Sequence, residues 1–390
     1  MNINKLPITD NLQEQISYGK EIAGTYDEKM MSYISSKANA VKNCQERYGM
    51  SNEDLMYKTV YDYWMYGFSP EQEVYLNLVH KSHEEKLKYV SFQMRFLYYS
   101  CLNKKEDMHI LENKYEAYQL LKEYYKRDVI KISSDEDYAT FLKFVERHPS
   151  FIVKPLGLSS AMGVRKVDMA KYHDTKALFD ELVNVGHAFD DDYSIKWTDR
   201  NGAILEELIQ QDEEFGKMHP ASVNGIRLTT IRRKDKVFVY KPWYKCGVIN
   251  DVVASADTGG FDAGINAKTG IIETDAVFED GSTKEFHPTT HVKVKGYVIP
   301  KWQELLELAN KLARSLKPTI NYVGWDFVLT PKGWVIIEAN YYGDMMWQMI
   351  YQKGMRDDME QMIGWHKDDN KFWWQYKHKK LEQMIDNENC

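Results

Sequence analysis

Cysteine is scarce in this chain. Its 390 residues hold four, Cys44, Cys101, Cys246 and Cys390, with no pair at zinc-ligand or redox spacing, which excludes a disulfide framework and points to a reducing compartment. No run of about 18 apolar residues occurs, so no transmembrane segment is expected. The opening MNINKLPITD lacks the charged-then-apolar pattern of a signal peptide, and a soluble, cytoplasmic protein is the expectation. Basic residues are in deficit: 51 Lys and Arg stand against 58 Asp and Glu, for a net charge of -7. That balance excludes the footprint of a general nucleic-acid binder, though not a locally basic pocket for phosphates. Internal repeats and low-complexity tracts are missing as well. What is present is the composition of a folded chain, 43% hydrophobic and 13% aromatic with 27 Tyr and 10 Trp, long enough for two or three subdomains.

From Asn11 to about Asn103 glycine and proline are rare, and apolar residues recur at helical spacing. Leu87, Val90, Phe92, Phe96 and Leu97 sketch one helix face there, read as core. The chain turns polar over residues 103–110, and ENKYEAYQLLKEYYKRD opens another helix. Short β-type runs follow: KISS, then a helix over Glu136 to Arg147, then FIVKP and VRKVDM around a Gly/Ser loop. A helix near Ala177 to Val185 leads to the strand AILEELI, the hairpin of GIRLTTIRR with KVFVYKPWY, and a Gly-rich connection. A helix over Lys301 to Leu316 precedes the last hairpin, NYVGWDFVLTPKGWVIIEAN. The fold class expected is α+β, with a mainly helical region over 1–105, a mixed domain over 106–365 and a helical tail over 366–390.

The last hairpin carries the sharpest signal. A type I turn with Pro331 in its second place, closed by Gly333 in a left-handed conformation, suits Thr330-Pro331-Lys332-Gly333. Pairing Thr330 with Trp334 and counting back sets Asp326 opposite Glu338, with Asn340 two residues on along the same face. The other face, Val323, Trp325, Phe327, Leu329, Val335, Ile337 and Ala339, is apolar and expected to meet the core. Opposed carboxylates with Cβ atoms roughly 5 Å apart repel, and a cation between them removes that cost. An all-oxygen donor set favours Mg2+, or Mn2+, over zinc.

A second signal is FIVKPLGLSSAMGVRKV. A buried strand ends at Lys154, and a loop with Gly157, Ser159, Ser160 and Gly163 can approach phosphate oxygens closely. The lysine is placed to neutralise them. This is no Walker A, since the G-K-[ST] ending and its helix are missing, and an ordinary β-turn is the competing reading. A third signal is ILEELIQQDEEFGK, where Glu206-Glu207-Leu208 suit a hinge against an adenine edge and Glu213 suits ribose hydroxyls. An acidic surface loop fits the same string.

Taken together and in this order, Lys114 in ENKY, Lys154 with its loop, the Glu206-Glu207-Leu208 hinge and Asp326…Glu338-x-Asn340 resemble the nucleotide and metal pattern of the ATP-grasp superfamily. HPASVNGIRLTT, GGFDAGINAKTG, HPTT, GYVIPKW and GWDFVLTPKGWVIIEAN are similar to its sugar-transfer-associated branch, from roughly Tyr89 to Gly364. The resemblance implies an ATP-grasp fold, two α+β subdomains clamping ATP. It further implies Lys114 and Lys154 on phosphates, Glu207 and Leu208 at adenine, Glu213 at ribose, and Asp326, Glu338 and Asn340 on magnesium. The sequence departs from the branch pattern at Lys245-Cys246-Gly247, where an arginine before a glycine is usual, and at Val252 to Asp257, where an Asn-rich run is usual.

The activity so implied is that of an ATP-dependent ligase. A small carboxylate attacks the γ-phosphate, and an amine or related nucleophile captures the acylphosphate, with a sugar or surface-polysaccharide precursor as the product's setting. A phosphotransferase acting on a sugar or polyol hydroxyl is the alternative, and a nucleotide-sensing scaffold a third class. Residues 156–164 and 257–264 are the expected water-excluding lids. Arg227, on the strand GIRLTT, suits a substrate carboxylate or a tetrahedral oxyanion; a plain strand-edge arginine is the competing reading. With Lys245 it is expected to lie away from the metal and phosphate elements, in an acceptor pocket. His287 is read either as a base or substrate contact or as a loop histidine.

Overall fold

Side-chain caps cut the front of the chain into short helices. Asn11, Asp27, Ser51, Ser69, Ser82 and Ser91 each accept backbone N–H bonds ahead of a helix, satisfying donors that a helix start leaves open. The computed structural model describes residues 6–41, 43–157, 162–189, 201–249, 259–341 and 345–365. Among these, helices span Leu12–Ala23, Glu28–Asn39, Cys44–Tyr48, Asn52–Tyr66, Pro70–Tyr75, His83–Lys86, Phe92–Leu102 and Lys105–Glu112. The Ser91 cap breaks the helix face expected from Leu87 to Leu97. Met94, Tyr98, Tyr99 and Leu102 are the residues the Phe92–Leu102 helix buries, while Phe96 and Leu97 are half-buried. The polar stretch over 103–110 is itself largely helical.

A small antiparallel sheet follows, built from β1 (Val129–Ile132), β2 (Ser150–Pro155), β3 (Arg165–Asp168) and β4 (Ala203–Glu207) in the order β1-β4-β2-β3. Helices Tyr138–Arg147 and Thr175–Val183 cover one of its faces through Phe141, Phe144, Leu178, Phe179 and Leu182. Its other face carries Ile152, Lys154, Ile204 and Glu206, by alternation along β2 and β4.

A larger antiparallel sheet takes the remaining strands. These are β5 (Gly225–Arg233), β6 (Lys236–Cys246), β7 (Phe261–Gly264), β8 (Ala276–Val277), β9 (Thr283–Lys284), β10 (Tyr322–Thr330) and β11 (Gly333–Asn340), in the order β11-β10-β5-β6-β7-β8-β9. Three of them, β7 to β9, lie where the sequence suggested only a Gly-rich connection. Helix Trp302–Ser315 packs on one face, its Leu305, Ala309 and Leu312 joining Ile226, Leu228, Trp325 and Phe327 in a single core.

The opposite face is shared. Its Ile231, Tyr240, Tyr322 and Val277 belong to a core with Val60, Met65, Val90, Tyr98 and Leu102 of the front helices and Trp347, Met349, Met359 and Ile363 of the short C-terminal helices Trp347–Ile350 and Arg356–Ile363. Buried hydrogen bonds seal this core. Gln348 exchanges bonds with Val90 through both amide atoms at 2.7 and 3.0 Å, and the Tyr98 hydroxyl donates to Glu360 at 2.6 Å. The rest of that sheet face carries Asp326, Arg227, Lys245 and Asp262 beside the buried Trp243.

Candidate active site

The hairpin of β10 and β11 sets Asp326 directly opposite Glu338, with Gly324 opposite Asn340. The route to that register differs from the simple count. Thr330 pairs with Gly333 rather than Trp334, and a bulge between Asp326 and Phe327 restores the carboxylate pair. Ile336 therefore lies across from Phe327, and the half-buried Ile337 falls at the irregularity. Gly333 has φ +92°, a conformation a side chain would strain.

Register then extends the row. Asp326 lies opposite Arg227 on β5, Arg227 opposite Trp243 on β6, and Trp243 opposite Gly264 on β7. Glu338, Asp326, Arg227, Trp243 and Gly264 thus cross five strands on one face. At the far end the Tyr351 ring lies against Gly264, where a Cβ would come within 2.6 Å of it. Next to this row, Gly225, Lys245 and Asp262 form a second one.

The charges on this face are tied together. Arg227 Nε donates to Asp326 Oδ1 at 2.8 Å, Lys245 Nζ lies 3.8 Å from the same oxygen, and Asn340 Nδ2 donates to Asp326 Oδ2 at 3.4 Å. The Arg227 guanidinium also lies 5.8 Å from the Trp243 ring centre. Burial alone would raise the Asp326 carboxyl, but Arg227 and then Lys245 outweigh it and hold the group below the usual range. The expectation that Arg227 and Lys245 sit apart from the metal elements is therefore corrected. The strand order places β5 beside β10, a neighbour relation that no local spacing encodes.

The small sheet contributes from across the cleft. Lys154 Nζ pairs with Glu206 Oε1 at 2.8 Å, a diagonal contact between β2 and β4. Arg127 grips the other oxygen, with Nε 2.8 Å from Glu206 Oε2. Its Nη1 donates to the Ile336 carbonyl of β11 at 2.7 Å, so one side chain ties the two sheets together. Burial acts to raise the Glu206 carboxyl, and Arg127 and Lys154 together bring it below its ordinary value. Glu206 is 2% exposed, so its side chain is committed to these cations rather than turned to an adenine edge. Arg127 was not singled out in the sequence, since nothing in KRD marks it.

Lys114 follows the Asn113 cap at the start of helix Lys114–Tyr125, and its backbone N–H donates to the Leu156 carbonyl at 3.0 Å. Its Nζ lies 3.6 Å from Glu338 Oε1. Burial lowers the Lys114 ammonium below its ordinary value, Glu338 opposes that shift and Lys154 adds to it. Two lysines from separate elements are thus close enough to repel each other.

The chain leaves β4 and crosses to the large sheet. The Glu207 carboxylate accepts from Asp128 N–H at 3.0 Å, Leu208 is half-buried, and Asp212 N–H donates to the Leu329 carbonyl of β10 at 2.8 Å. Asp212 also caps Glu213–Gly216, leaving Glu213 exposed on the first turn. Gly163 has φ +70° in the loop before β3. Ser159, Ser160, residues 252–257 and the tail from 366 lie outside the described residues, as do parts of both expected lids. His287 is buried, and Thr289 and Thr290 N–H donate to its Nδ1 while Nε2 lies 2.8 Å from the Gly247 carbonyl. Both ring nitrogens thus hold a loop together. His219 stacks on that ring, 5.0 Å between centres.

Asp326, Glu338 and Asn340 share one sheet face and offer carboxylate and amide oxygens without thiolate or imidazole, a donor set that suits Mg2+. Among the described residues no three of His, Cys, Asp and Glu cluster as a metal site; the fit depends on Asn340 as the third donor and on nucleotide oxygens completing the shell. No helix of the described residues is long and apolar enough to cross a membrane.

The family model of sugar-transfer associated ATP-grasp proteins matches residues 93–363. No curated protein sequence gives a significant match. Among solved structures, the chain is similar to the VanG D-Ala:D-Ser ligase from Enterococcus faecalis at 14% identity and TM-score 0.35, covering 60% of this chain and 53% of that one. It is also similar to an L-amino acid ligase from Bacillus licheniformis at 13% identity and TM-score 0.36, covering 64% and 51%. The D-alanine-D-alanine ligase from Coxiella burnetii matches at 12% identity and TM-score 0.34, covering 65% and 60%. The chain thus spans a little over half the length of these structures.

Proposed function

We propose, from the premise that this chain belongs to the sugar-transfer associated ATP-grasp family, that it is an ATP-dependent ligase joining a small carboxylate to an amine or related nucleophile. The observation that carries this reading is the row Glu338–Asp326–Arg227, facing the cations Lys114 and Lys154. Phosphoryl transfer asks for positioned positive charge and for little covalent chemistry from the protein. Mg2+ held by Asp326, Glu338 and Asn340 would supply charge stabilisation to the phosphate oxygens. Lys154 and Lys114 neutralise the phosphates from the small-sheet side. The segment from Glu207 to Asp212 receives the adenine, Leu208 supplying apolar contact and Glu213 a ribose partner.

In the first half-reaction a carboxylate oxygen bonds to the γ-phosphorus, the bond to the β-phosphate oxygen breaks, and ADP leaves. In the second, the nucleophile's lone pair adds to the acyl carbon, inorganic phosphate departs, and the nucleophile's proton goes to solvent or phosphate. Arg227 and Lys245 stabilise the negative charge that develops on the acyl oxygen and phosphate. The family's association with sugar transfer supports an acceptor from a sugar or surface-polysaccharide precursor, and dependence on ATP supports action in the cytoplasm.

The test is incubation with Mg2+, ATP, hydroxylamine and panels of carboxylates. Carboxylate-dependent ADP release with hydroxamate formation is expected. ADP release driven by a polyol, without hydroxamate, would establish the phosphotransferase instead.

A further inference from the structure

The cation nearest Asp326 in this fold is supplied by the chain itself. Arg227 Nε sits 2.8 Å from Asp326 Oδ1, Lys245 approaches the same oxygen at 3.8 Å, and Lys114 lies 3.6 Å from Glu338. Both carboxylates of the metal pair thus have a side-chain counter-ion. Among the described residues the same cleft sets Lys114, Lys154, Arg127, Arg227 and Lys245 against Glu206, Asp326, Glu338 and Asp262, the last in register with Lys245, so cations outnumber carboxylates by one. A bare divalent ion entering there meets a guanidinium already bonded to its ligand and adds to an existing excess. A nucleoside triphosphate carries about four negative charges near neutral pH, and about two once a divalent ion is bound. The metal-bound triphosphate is therefore still an anion, of the sign that the cleft's excess of cations attracts.

We infer that Arg227 is the resident counter-cation of Asp326, displaced when a divalent ion arrives with a triphosphate and thereby handed to the anionic group that reacts. The inference rests on the metal assignment in the proposed function and deepens it, because it has Arg227, before it contacts the reacting anion, couple metal seating to anion capture. The guanidinium has a surface to pivot on: it lies beside Trp243, in register with it across the sheet. Its planar fork accepts a phosphate or carboxylate in place of Asp326 without a change of charge state. Coupling of this kind is reciprocal, so the triphosphate must raise metal affinity by the factor by which the metal raises triphosphate affinity. Arg227 accounts for part of that factor.

The experiment measures Mn2+ binding by the full chain, by electron paramagnetic resonance, with and without a non-hydrolysable ATP analogue. In the wild type, Mn2+ alone should bind weakly and the analogue should tighten it. Arg227→Met should tighten Mn2+ binding without nucleotide by at least about tenfold, since each tenfold is one modest ion-pair contribution. The dependence on the analogue should shrink accordingly. Adding Asp326→Asn to that variant should remove the gain. Should Arg227→Met lose its fold by circular dichroism, Arg227→Lys serves instead, with a gain of twofold to about tenfold expected. A folded variant whose nucleotide-free Mn2+ affinity is unchanged or weaker overturns the inference while leaving the metal assignment standing. Analogue-dependent Mn2+ binding that survives Asp326→Asn in the wild-type background overturns both.

Discussion

Two clusters of buried charge in this molecule use the same residue types to opposite ends. In the front helices, Lys58 bonds to Asp62 and to Glu73 at 3.0 Å, and Lys86 lies 3.1 Å from Asp62, all four side chains at 0% exposure. Two amino groups meet two carboxyl groups, so charge is balanced within the cluster once Glu73 ionises at about pH 7. In the cleft between the sheets, cations outnumber carboxylates, and Lys245 and Glu338 keep 20% and 33% exposure of their side chains. Burial of a balanced set fixes how helices pack, since removing one partner strands a charge in a dry interior. A partly open set with unequal charge stores an affinity for something outside the chain. The difference, and not the presence of buried ions, is what recommends the second cluster as the candidate site.

The comparison breaks most sharply at the hairpin. Asp326→Asn or Glu338→Gln should cut ATP-dependent turnover by at least about a thousandfold. Glu338→Gln, at the more exposed end of the row, should leave the melting temperature nearly unchanged, whereas Asp326→Asn takes from the buried Arg227 its carboxylate counter-ion and should lower it. Wild-type turnover in either would remove the metal assignment. In the helical cluster the outcome should invert. Lys58→Met, which leaves Asp62 and Glu73 without their shared cation, should cost about 3–5 kcal/mol of stability. Chemical denaturation reads this loss, and a midpoint equal to wild type would show that the quartet does not hold the helices.

How much of this was legible in the sequence depended on range. The Asp326–Glu338 pair could be read because a hairpin is local: turn residues fix the register, and alternation fixes the face. The bulge that displaces Ile337 was not legible, as nothing in VIIEAN distinguishes the irregular residue. Lys154 and Lys114 followed from their motifs. Arg227 was named, but its place beside Asp326 depends on β5 lying next to β10, a contact between residues 99 apart in sequence. The bridge by Arg127 from Glu206 to Ile336 depends on the docking of two sheets, which spacing along either strand does not report. The shared core of front and C-terminal helices was invisible for the same reason.

Two smaller effects sharpen the contrast. Lys154→Met, which keeps the stem and loses the charge, should weaken ATP binding or slow turnover by about 10- to 100-fold, roughly one to two increments of 1.4 kcal/mol. Calorimetry with ATP and steady-state ADP release separate the two, and no change in either would reduce the Gly163 loop to an ordinary turn. The least effect is a proton. Burial first, and then Asp62, raise the Glu73 carboxyl from 4.5 to about 7. Between those values the folded chain keeps a proton that the unfolded chain has released, so this group's contribution to stability is full below pH 4.5 and declines as pH rises toward about 7. Glu73→Gln should flatten that slope in denaturation curves taken from pH 5 to 7.5. An unaltered slope would show that the carboxylate is ionised throughout.

The shared core also bears on where this protein can be divided. Likeness to the family begins at residue 93, and a boundary drawn there looks natural on an alignment. In space it cuts between Val90, which Gln348 holds through both of its amide atoms, and Tyr98, which donates to Glu360. A chain begun at residue 93 would lose Val60, Met65 and Val90 from the core they share with Tyr240, Tyr322 and Trp347, a core that includes part of the sheet face bearing Asp326 and Arg227. Such a fragment would lack part of its own core and should be less stable than the full chain. Changing the packing of the front helices would act on the face of Asp326 and Arg227 through the core that shares it, without touching a residue of the candidate site.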